Sequence, residues 1–263
     1  MLSEKFYGGC DIGFISGKAV VLTDKGIAAT AIVDNEILPE ETAYKAFKEA
    51  FAKIPSVKEI EALSFSVATG FGRKKISFAN KNVSDITCNS IGLYYSTPEI
   101  KTVIDIGGES IKAILLGNNG NVLDFVVNDR CSSGTGRFFE NIARIFKTDI
   151  DSFCNLSIDT KKSFEITSQC SVLAETEAIT LLAQGKPPAE IALGIQKSVA
   201  KRCYVLLNKV GIQPKIGAIG GCAKNIGLIK EIERLLNYEI IKPTIDSQLI
   251  AALGAAILAR KMA

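Results

Sequence analysis

One stretch of sequence occurs twice, and this repeat constrains the fold more than any other feature of the chain. Residues 10–22 read CDIGFISGKAVVL, and residues 104–116 read IDIGGESIKAILL. In each copy an apolar run ends in Asp-x-Gly, a short turn follows, and a second apolar run begins at a lysine, Lys18 or Lys112. The pattern predicts the two strands of a tight hairpin. Its duplication predicts two related domains.

The chemistry of these turns indicates phosphate binding. Such a turn presents backbone N–H groups beside a carboxylate, which suits a phosphate and the Mg²⁺ that accompanies it. A single Asp-x-Gly hairpin is a common turn and carries little weight by itself. Two copies with the same spacing, led by Asp11 and Asp105, favour one nucleotide held between two domains.

Composition excludes several functional classes. The chain has 263 residues, ordinary globular hydrophobicity and a net charge of only +3 with scattered basic residues, which argues against nucleic-acid binding. Histidine is absent, so histidine-based triads, general bases and metal ligands are all excluded. The sequence lacks a leader pattern and a long apolar run, so we expect a cytoplasmic protein that does not enter a membrane.

The order of predicted elements is α/β in both halves. The first hairpin is followed by a strand over 26–35, a helix over 39–54, a strand over 62–69 and a short strand over 84–88. Strands at about 100–106, 110–116 and 121–129 then repeat the opening order. Helices are predicted after Gly136 and over 172–184, 187–211, 225 onward and 247–262, with a strand at 216–219. The first domain is therefore assigned to 1–98 with the C-terminal helix 247–263, and the second to 99–246.

Two cysteines occupy matching positions. Cys131 precedes the turn SSGTG before a predicted helix, and Cys170 also stands where a helix begins. Helix-terminal N–H groups lower the pKa of a thiol and stabilise anions, so Gly134, Thr135, Gly136 and Arg137 would face a bound cofactor. Two thiolates are too few for an ordinary iron–sulfur cluster, but a site on a dimer axis would receive two from each subunit. The alternative, two buried cysteines at helix starts, stays open.

Together these motifs resemble a known family. The chain is similar to the activators of 2-hydroxyacyl-CoA dehydratases and the ATP-binding subunits of benzoyl-CoA reductases, within the acetate kinase, sugar kinase, Hsp70 and actin superfamily. The motifs that carry the likeness span almost the whole chain: Asp11-x-Gly, 68–73 ATGFGR, 84–88 SDITC, 104–108 IDIGG, 128–137, 170–177 CSVLAETE, 198–202 SVAKR, Gly220-Gly221, Gln248 and 252–256 ALGAA.

The resemblance implies an α/β fold of two duplicated actin-like (ribonuclease H-like) ATPase domains with a nucleotide cleft between them. It implies a homodimer with one [4Fe-4S] cluster ligated by Cys131 and Cys170 of each subunit, and ATP or ADP with Mg²⁺ in each cleft. ATP hydrolysis would drive an electron into an iron–sulfur reductase or dehydratase partner, with a ferredoxin or flavodoxin as the upstream reductant. The residues implied in the first phosphate loop are Asp11, Gly13, Phe14, Ser16, Gly17 and Lys18, those in the second are Asp105, Gly107, Gly108 and Lys112, and those near the adenosine are Gly220, Gly221, Asn225 and Gln248.

Three positions depart from the family pattern. Phe14 stands where a small hydroxyl residue is usual, so only the backbone or Ser16 can replace that phosphate contact. Glu109 stands where a glutamine is usual, which puts a potential base and an extra negative charge beside the expected γ-phosphate, and Asn89 replaces a usual histidine. With Asp11 and Asp105 we therefore assign Glu109 to the catalytic group.

Two other functions remain open from sequence. A small-molecule kinase of the same superfamily, pantothenate-kinase-like or sugar-kinase-like, explains the nucleotide motifs equally well but leaves the matched cysteines unexplained. An actin-like or Hsp70-like nucleotide switch without redox chemistry is the third interpretation. Colour after anaerobic purification separates both from the redox protein.

Overall fold

The chain divides into two compact units in a computed structural model that describes residues 4–128, 135–167 and 170–263. Unit 1 comprises Met1–Glu99, Leu116–Val122 and Pro243–Ala263, and unit 2 comprises Ile100–Leu115 and Leu123–Lys242. Each unit is built on its own five-stranded sheet.

The sheet of unit 1 has the order β3-β2-β1-β4-β5. Its strands are β1 (Phe6–Ile12), β2 (Ser16–Thr23), β3 (Gly26–Asp34), β4 (Leu63–Thr69) and β5 (Lys81–Asn82). The first three form an antiparallel meander, whereas β4 and β5 run parallel to β1. The helices of this unit are α1 (Pro39–Phe51), α2 (Asp85–Ser96) and α8 (Ile250–Met262).

Two apolar cores flank this sheet. One gathers the α1 side chains with one face of β1 to β3, and the other gathers the alanine-rich α8 with the opposite face. Helices α2 and α8 pack closely because each brings a glycine to the crossing: a Cβ on Gly92 would collide with the carbonyl of Ile250, and one on Gly254 with the carbonyl of Cys88. The C-terminal helix is thereby part of the first unit.

The sheet of unit 2 repeats that order, reading β8-β7-β6-β9-β10 from the meander edge. Its strands are β6 (Thr102–Ile106), β7 (Ile111–Leu116), β8 (Val122–Val127), β9 (Ile216–Ile219) and β10 (Ile240–Ile241). Strands β6 and β7 are antiparallel, and β9 runs parallel to β6. The predicted duplication is confirmed, since each unit has a three-stranded meander followed by two parallel strands.

The described residues of unit 2 form the helices α3 (Gly136–Ile145), α4 (Ile150–Asn155), α5 (Ser171–Ala183), α6 (Pro188–Val210) and α7 (Ile226–Leu236). The apolar face of α6 meets the sheet and α7 in a single core that includes Ile104, Phe139, Ile195 and Leu228. Pro188 opens α6, and Gly211, with φ of 85°, follows its last residue. Both signals give the helix boundaries expected from the sequence.

The short strand predicted over 84–88 is wrong. Ser84 is instead the N-cap of α2, because its hydroxyl accepts a hydrogen bond from the N–H of Thr87 at 3.2 Å. The cap starts the helix at Asp85 and leaves Cys88 inside its first turn, so the strand in this region is Lys81–Asn82. Among the described residues, no helix combines the length and the apolar character needed to cross a bilayer.

Candidate functional site: two aspartate–lysine turns and a cysteine at a helix start

The repeated sequence folds into two hairpins of the same geometry. Asp11 of β1 faces Lys18 of β2, and Asp105 of β6 faces Lys112 of β7, each as directly paired residues of neighbouring strands. The lysine Nζ lies 3.4 Å from the carboxylate Oδ2 in the first hairpin and 3.3 Å in the second. All four side chains are largely buried, at 11–14 % exposure. Each turn therefore holds a carboxylate and an ammonium group in a shielded setting.

Three carbonyl oxygens of the first turn, those of Gly13, Ile15 and Ser16, accept hydrogen bonds from the protein. The Gly13 N–H donates to the Ser16 carbonyl at 3.1 Å and closes the turn. Asn35, just after β3, donates from its backbone N–H to the Ile15 carbonyl at 3.3 Å and from its side-chain Nδ2 to the Gly13 carbonyl at 3.0 Å. These bonds fix the backbone of the first turn between β1 and β2 and tie it to the residue that follows β3.

The second turn is held in the same way but by a helix. The Gly107 N–H donates to the Ser110 carbonyl at 2.9 Å. The first two N–H groups of α3, those of Gly136 and Arg137, donate to the carbonyls of Gly107 and Gly108 at 2.9 and 3.1 Å. The N-terminus of α3 is thus hydrogen-bonded directly to this turn. The sequence pattern did not predict this contact.

A glycine lies directly against the carboxylate of each aspartate. Gly70, after β4, and Gly220, after β9, have φ of 85° and 86°, which favours glycine. A Cβ on Gly70 would collide with Oδ1 of Asp11, and one on Gly220 would lie 2.8 Å from Oδ1 of Asp105. Gly70 is the unit 1 counterpart of Gly220, and the shared strand-then-glycine pattern was the signal that could have identified it.

The two positions that depart from the family pattern in these turns are accessible. Phe14, 38 % exposed, packs its ring edge-on against Phe71 with centroids 5.8 Å apart. Glu109 is exposed at the tip of the second turn. Ser16 and Gly17 are buried at the start of β2, so the hydroxyl of Ser16 does not occupy the exposed position of the Phe14 side chain.

The residues predicted near adenosine fall at two places. Gly220, Gly221 and Asn225 lie together between β9 and α7, where the Asn225 side chain caps α7 by accepting from the Leu228 N–H at 3.1 Å. Gln248 lies in unit 1, just before α8, and its N–H donates to Oδ1 of Asp246 at 2.9 Å. The structure therefore brings three of the four into one strand–helix junction.

Cys170 differs from the other cysteines of the described residues. It is partly exposed and is the N-cap residue of α5, whereas Cys10, Cys88, Cys154, Cys203 and Cys222 are all buried. Burial raises the pKa of each of these five thiols, to about 12 for Cys88, Cys154 and Cys203. These five thiols are neutral and enclosed, which makes them poor nucleophiles and poor metal ligands. Cys131 and Gly134 lie outside the described residues.

The helices that follow the two cysteine positions are joined to each other. The Asn141 side chain on α3 donates to Oε1 of Glu175 on α5 at 3.2 Å. Thr135, at the start of α3, is fully buried, and Arg137 pairs with Glu140 along the helix at 2.9 Å. Hydrogen bonds therefore run continuously from the second turn through α3 to α5. Within the described ranges, no three cysteine or acidic side chains gather into a metal-binding group.

A cavity of about 210 Å³ lies beside the chain segment that leads to Cys170. It opens between that segment and α6, and the sequence patterns gave no indication of it. Its walls are formed by Ser163, Phe164, Glu165, Ile166, Gly194, Lys197, Ser198 and Lys201.

Two copies of one sheet order, each with an Asp-x-Gly hairpin at the end of its central strand, define an α/β protein of the actin-like ATPase class. Residues 9–259 match the BadF/BadG/BcrA/BcrD ATPase family, and the chain belongs to this family. The predicted fold class and the family resemblance are both confirmed.

Its relatives include named activators. The chain is 36% identical over 253 residues to the 2-hydroxyisocaproyl-CoA dehydratase activator of Clostridioides difficile, covering 95% of this chain and 93% of the relative. It is 37% identical over 259 residues to the activator of lactoyl-CoA dehydratase of Anaerotignum propionicum, covering 97% of each. The solved structure of the C. difficile activator with bound ADPNP has a TM-score of 0.91 and 34% identity, and covers 98% of this chain and 95% of that one.

Proposed function

We propose that this chain is an ATP-dependent, low-potential electron donor. In this proposal a homodimer carries one [4Fe-4S] cluster, and ATP hydrolysis drives transfer of one electron to an iron–sulfur partner such as a 2-hydroxyacyl-CoA dehydratase, a benzoyl-CoA reductase or a double-cubane-cluster protein. A ferredoxin or flavodoxin then restores the electron. Family membership and the activators named among the relatives support this assignment.

The two turns supply the phosphate-binding chemistry. In each, turn carbonyls accept hydrogen bonds from the protein, and the largely buried ammonium group of the aspartate–lysine pair would meet the negative charge of a phosphate. Asp11 and Asp105 would hold Mg²⁺ directly or through water, since carboxylate oxygens are its usual protein ligands. Glu109, exposed at the second turn, would orient or deprotonate the attacking water.

The cluster would be held by Cys131 and Cys170 of both subunits. Cys170 fits this role because it is partly exposed at the N-terminus of α5, where the helix dipole favours a net negative cluster. Two thiolates from one chain would leave the ligand set half complete, so the second subunit is required. When bound, such a cluster carries a single electron at low potential.

One observation carries the coupling of the two chemistries: α3 is hydrogen-bonded to the second turn through Gly136 and Arg137. A change in that turn when ATP binds would move the start of α3, which adjoins the segment that contains Cys131, and hydrolysis would then make delivery of the electron irreversible. The Asn141–Glu175 contact passes the movement to α5, which begins after Cys170. Because helix N-termini carry partial positive charge, displacing them from a bound cluster would destabilise its reduced state and would favour electron release.

The test is anaerobic reconstitution with iron and sulfide, followed by iron analysis and visible absorption. The wild-type dimer should take up about four irons, and both Cys131→Ala and Cys170→Ala should abolish the absorption while leaving ATP binding intact. The buried Cys154 supplies the matched control, because Cys154→Ala should retain the cluster. Full iron content in Cys131→Ala would contradict the proposal, and a colourless wild-type protein that phosphorylates a small molecule would identify the kinase alternative instead.

A further inference from the structure

The backbone N–H and the backbone carbonyl of Thr167 are hydrogen-bonded to side chains from two different helices. Its N–H donates to Oε2 of Glu177 on α5 at 2.7 Å, and its carbonyl accepts from the hydroxyl of Ser198 on α6 at 2.9 Å. Ser198 is buried at 6 % exposure, so the second bond is shielded from water. Below, Glu177 and Ser198 with the Thr167 peptide are called the Thr167 clamp.

The clamp acts on a segment that has no regular secondary structure. Residues 161–167 form neither helix nor strand. The segment is instead fixed along α6: Lys197 donates to the Ser163 hydroxyl at 2.8 Å, and a Cβ on Gly194 would collide with the carbonyl of Phe164. Ile166, 6 % exposed, is anchored in the core of unit 2. Thr167 is the last described residue of this segment before Cys170.

Glu177 also connects the chain before Cys170 to the helix after it. It lies on α5, the helix that Cys170 caps, and its bond to Thr167 joins two residues ten positions apart in sequence. This bond therefore links a described residue that precedes Cys170 to the second turn of the helix that follows it. A short bond to a carboxylate is stronger than one between neutral groups, so this link resists opening.

We propose that Glu177 and Ser198 are positioning residues that fix Cys170 at the start of α5. Neither side chain is assigned to the nucleotide or the cluster. The assignment of Cys170 as a cluster ligand rests on the proposed function, whereas the proposal that Glu177 and Ser198 hold Cys170 in place does not. Because the role of Glu177 is to accept a hydrogen bond, glutamine at that position should preserve it and alanine should not.

The first experiment measures the rate of alkylation at Cys170 in the iron-free protein, resolved by peptide mass spectrometry. Ser198→Ala should raise the rate about fivefold, the change expected when the local opening equilibrium loses one net hydrogen bond, and Glu177→Ala should raise it about tenfold or more because a bond to a carboxylate is stronger. Glu177→Gln should stay near the wild-type rate. Thr176→Ala is the matched control, because the Thr176 hydroxyl donates within α5, to the Val172 carbonyl at 2.9 Å.

The second experiment measures iron content and the electron paramagnetic resonance signal of the reconstituted variants. Glu177→Ala should lose iron to a chelator faster than wild type, with Glu177→Gln restoring the wild-type rate. If the wild-type protein takes up no iron, the proposed function fails, but the alkylation rates still test the clamp. Unchanged alkylation in both Glu177→Ala and Ser198→Ala would overturn the clamp, even in a protein that binds iron normally.

Discussion

Replacing Asp105 by asparagine tests whether the buried aspartate–lysine pairs behave as the structure implies. At 3.3 Å, and with an effective dielectric constant of about 20, the attraction between the Asp105 and Lys112 charges is about 5 kcal/mol. Desolvation of both charges offsets a large part of that attraction. Asp105→Asn removes the charge that compensates Lys112, so we expect it to lower the free energy of unfolding by about 3 kcal/mol.

A double-mutant cycle isolates the pair. Asp105→Asn, Lys112→Met and the double variant should give a coupling energy of about 2 kcal/mol, since the second change adds little once the pair is broken. The cycle at Asp11 and Lys18 should give a similar value, because that pair has nearly the same distance and burial. Lys25 and Glu4 provide the control: they lie 3.5 Å apart but are 88 % and 48 % exposed.

The assay is urea unfolding followed by far-ultraviolet circular dichroism, without nucleotide, so that the stability of the hairpins is separated from ligand binding. The exposed control pair should show no measurable coupling, because water screens it. Coupling in the two buried pairs as small as in the control would refute the reasoning. Under the proposed function, in which Asp105 organises Mg²⁺, the same Asp105→Asn variant should also lose most of its ATP hydrolysis.

Three further predictions follow from particular residues. In the folded, iron-free protein, N-ethylmaleimide should modify Cys170 far faster than the buried thiols of Cys154 and Cys203, whose pKa values are raised to about 12; equal rates in peptide mass spectrometry would contradict the burial argument. Asn225→Ala should cost about 1 kcal/mol of stability because α7 loses its cap, whereas Asn225→Ser should keep the cap, so weaker ATP binding by the serine variant would mark a nucleotide contact. Ser77 donates two hydrogen bonds to the carboxylate of Glu40 and lowers the pKa of that carboxylate, so the bonds stabilise the fold above the ordinary pKa of glutamate and this stabilisation is lost as the pH falls through the lowered pKa. Glu40→Gln should therefore lose less thermal stability than wild type on acidification. Parallel curves of melting temperature against pH for the two proteins would contradict this prediction.

The sequence was sufficient for the features that depend on local pattern. The seven-residue spacing of Asp11 and Lys18, repeated at Asp105 and Lys112, specified two hairpins because strand pairing makes those positions face each other. The start of α6 at Pro188 and its end before Gly211 were likewise predicted correctly from the residue types. The interpretation of 84–88 as a strand failed because Ser84 offered a helix cap, a local signal that the alternation of apolar residues concealed.

Contacts between distant segments were beyond the reach of the sequence. The hydrogen bonds from Gly136 and Arg137 to the second turn join residues that no spacing rule connects. The same is true of the bonds that Asn35 makes to the first turn and Glu177 makes to Thr167. Asparagine and glutamate are common polar residues, and only the fold determines which partners they contact. Gly70 was visible as a motif residue, but its support of Asp11 required the parallel pairing of β1 with β4.

The most direct test of the central claim measures how nucleotide changes the cluster. The reduction potential and the rate of iron loss to a chelator would be determined without nucleotide, with ADP, and with a non-hydrolysable ATP analogue plus the partner enzyme. A potential lower by roughly 200 mV in the last state corresponds to about 5 kcal/mol for a one-electron couple, which differential nucleotide binding must supply. We predict that the potential falls and iron loss accelerates in that state. Identical potentials and identical rates in all three states would contradict the account.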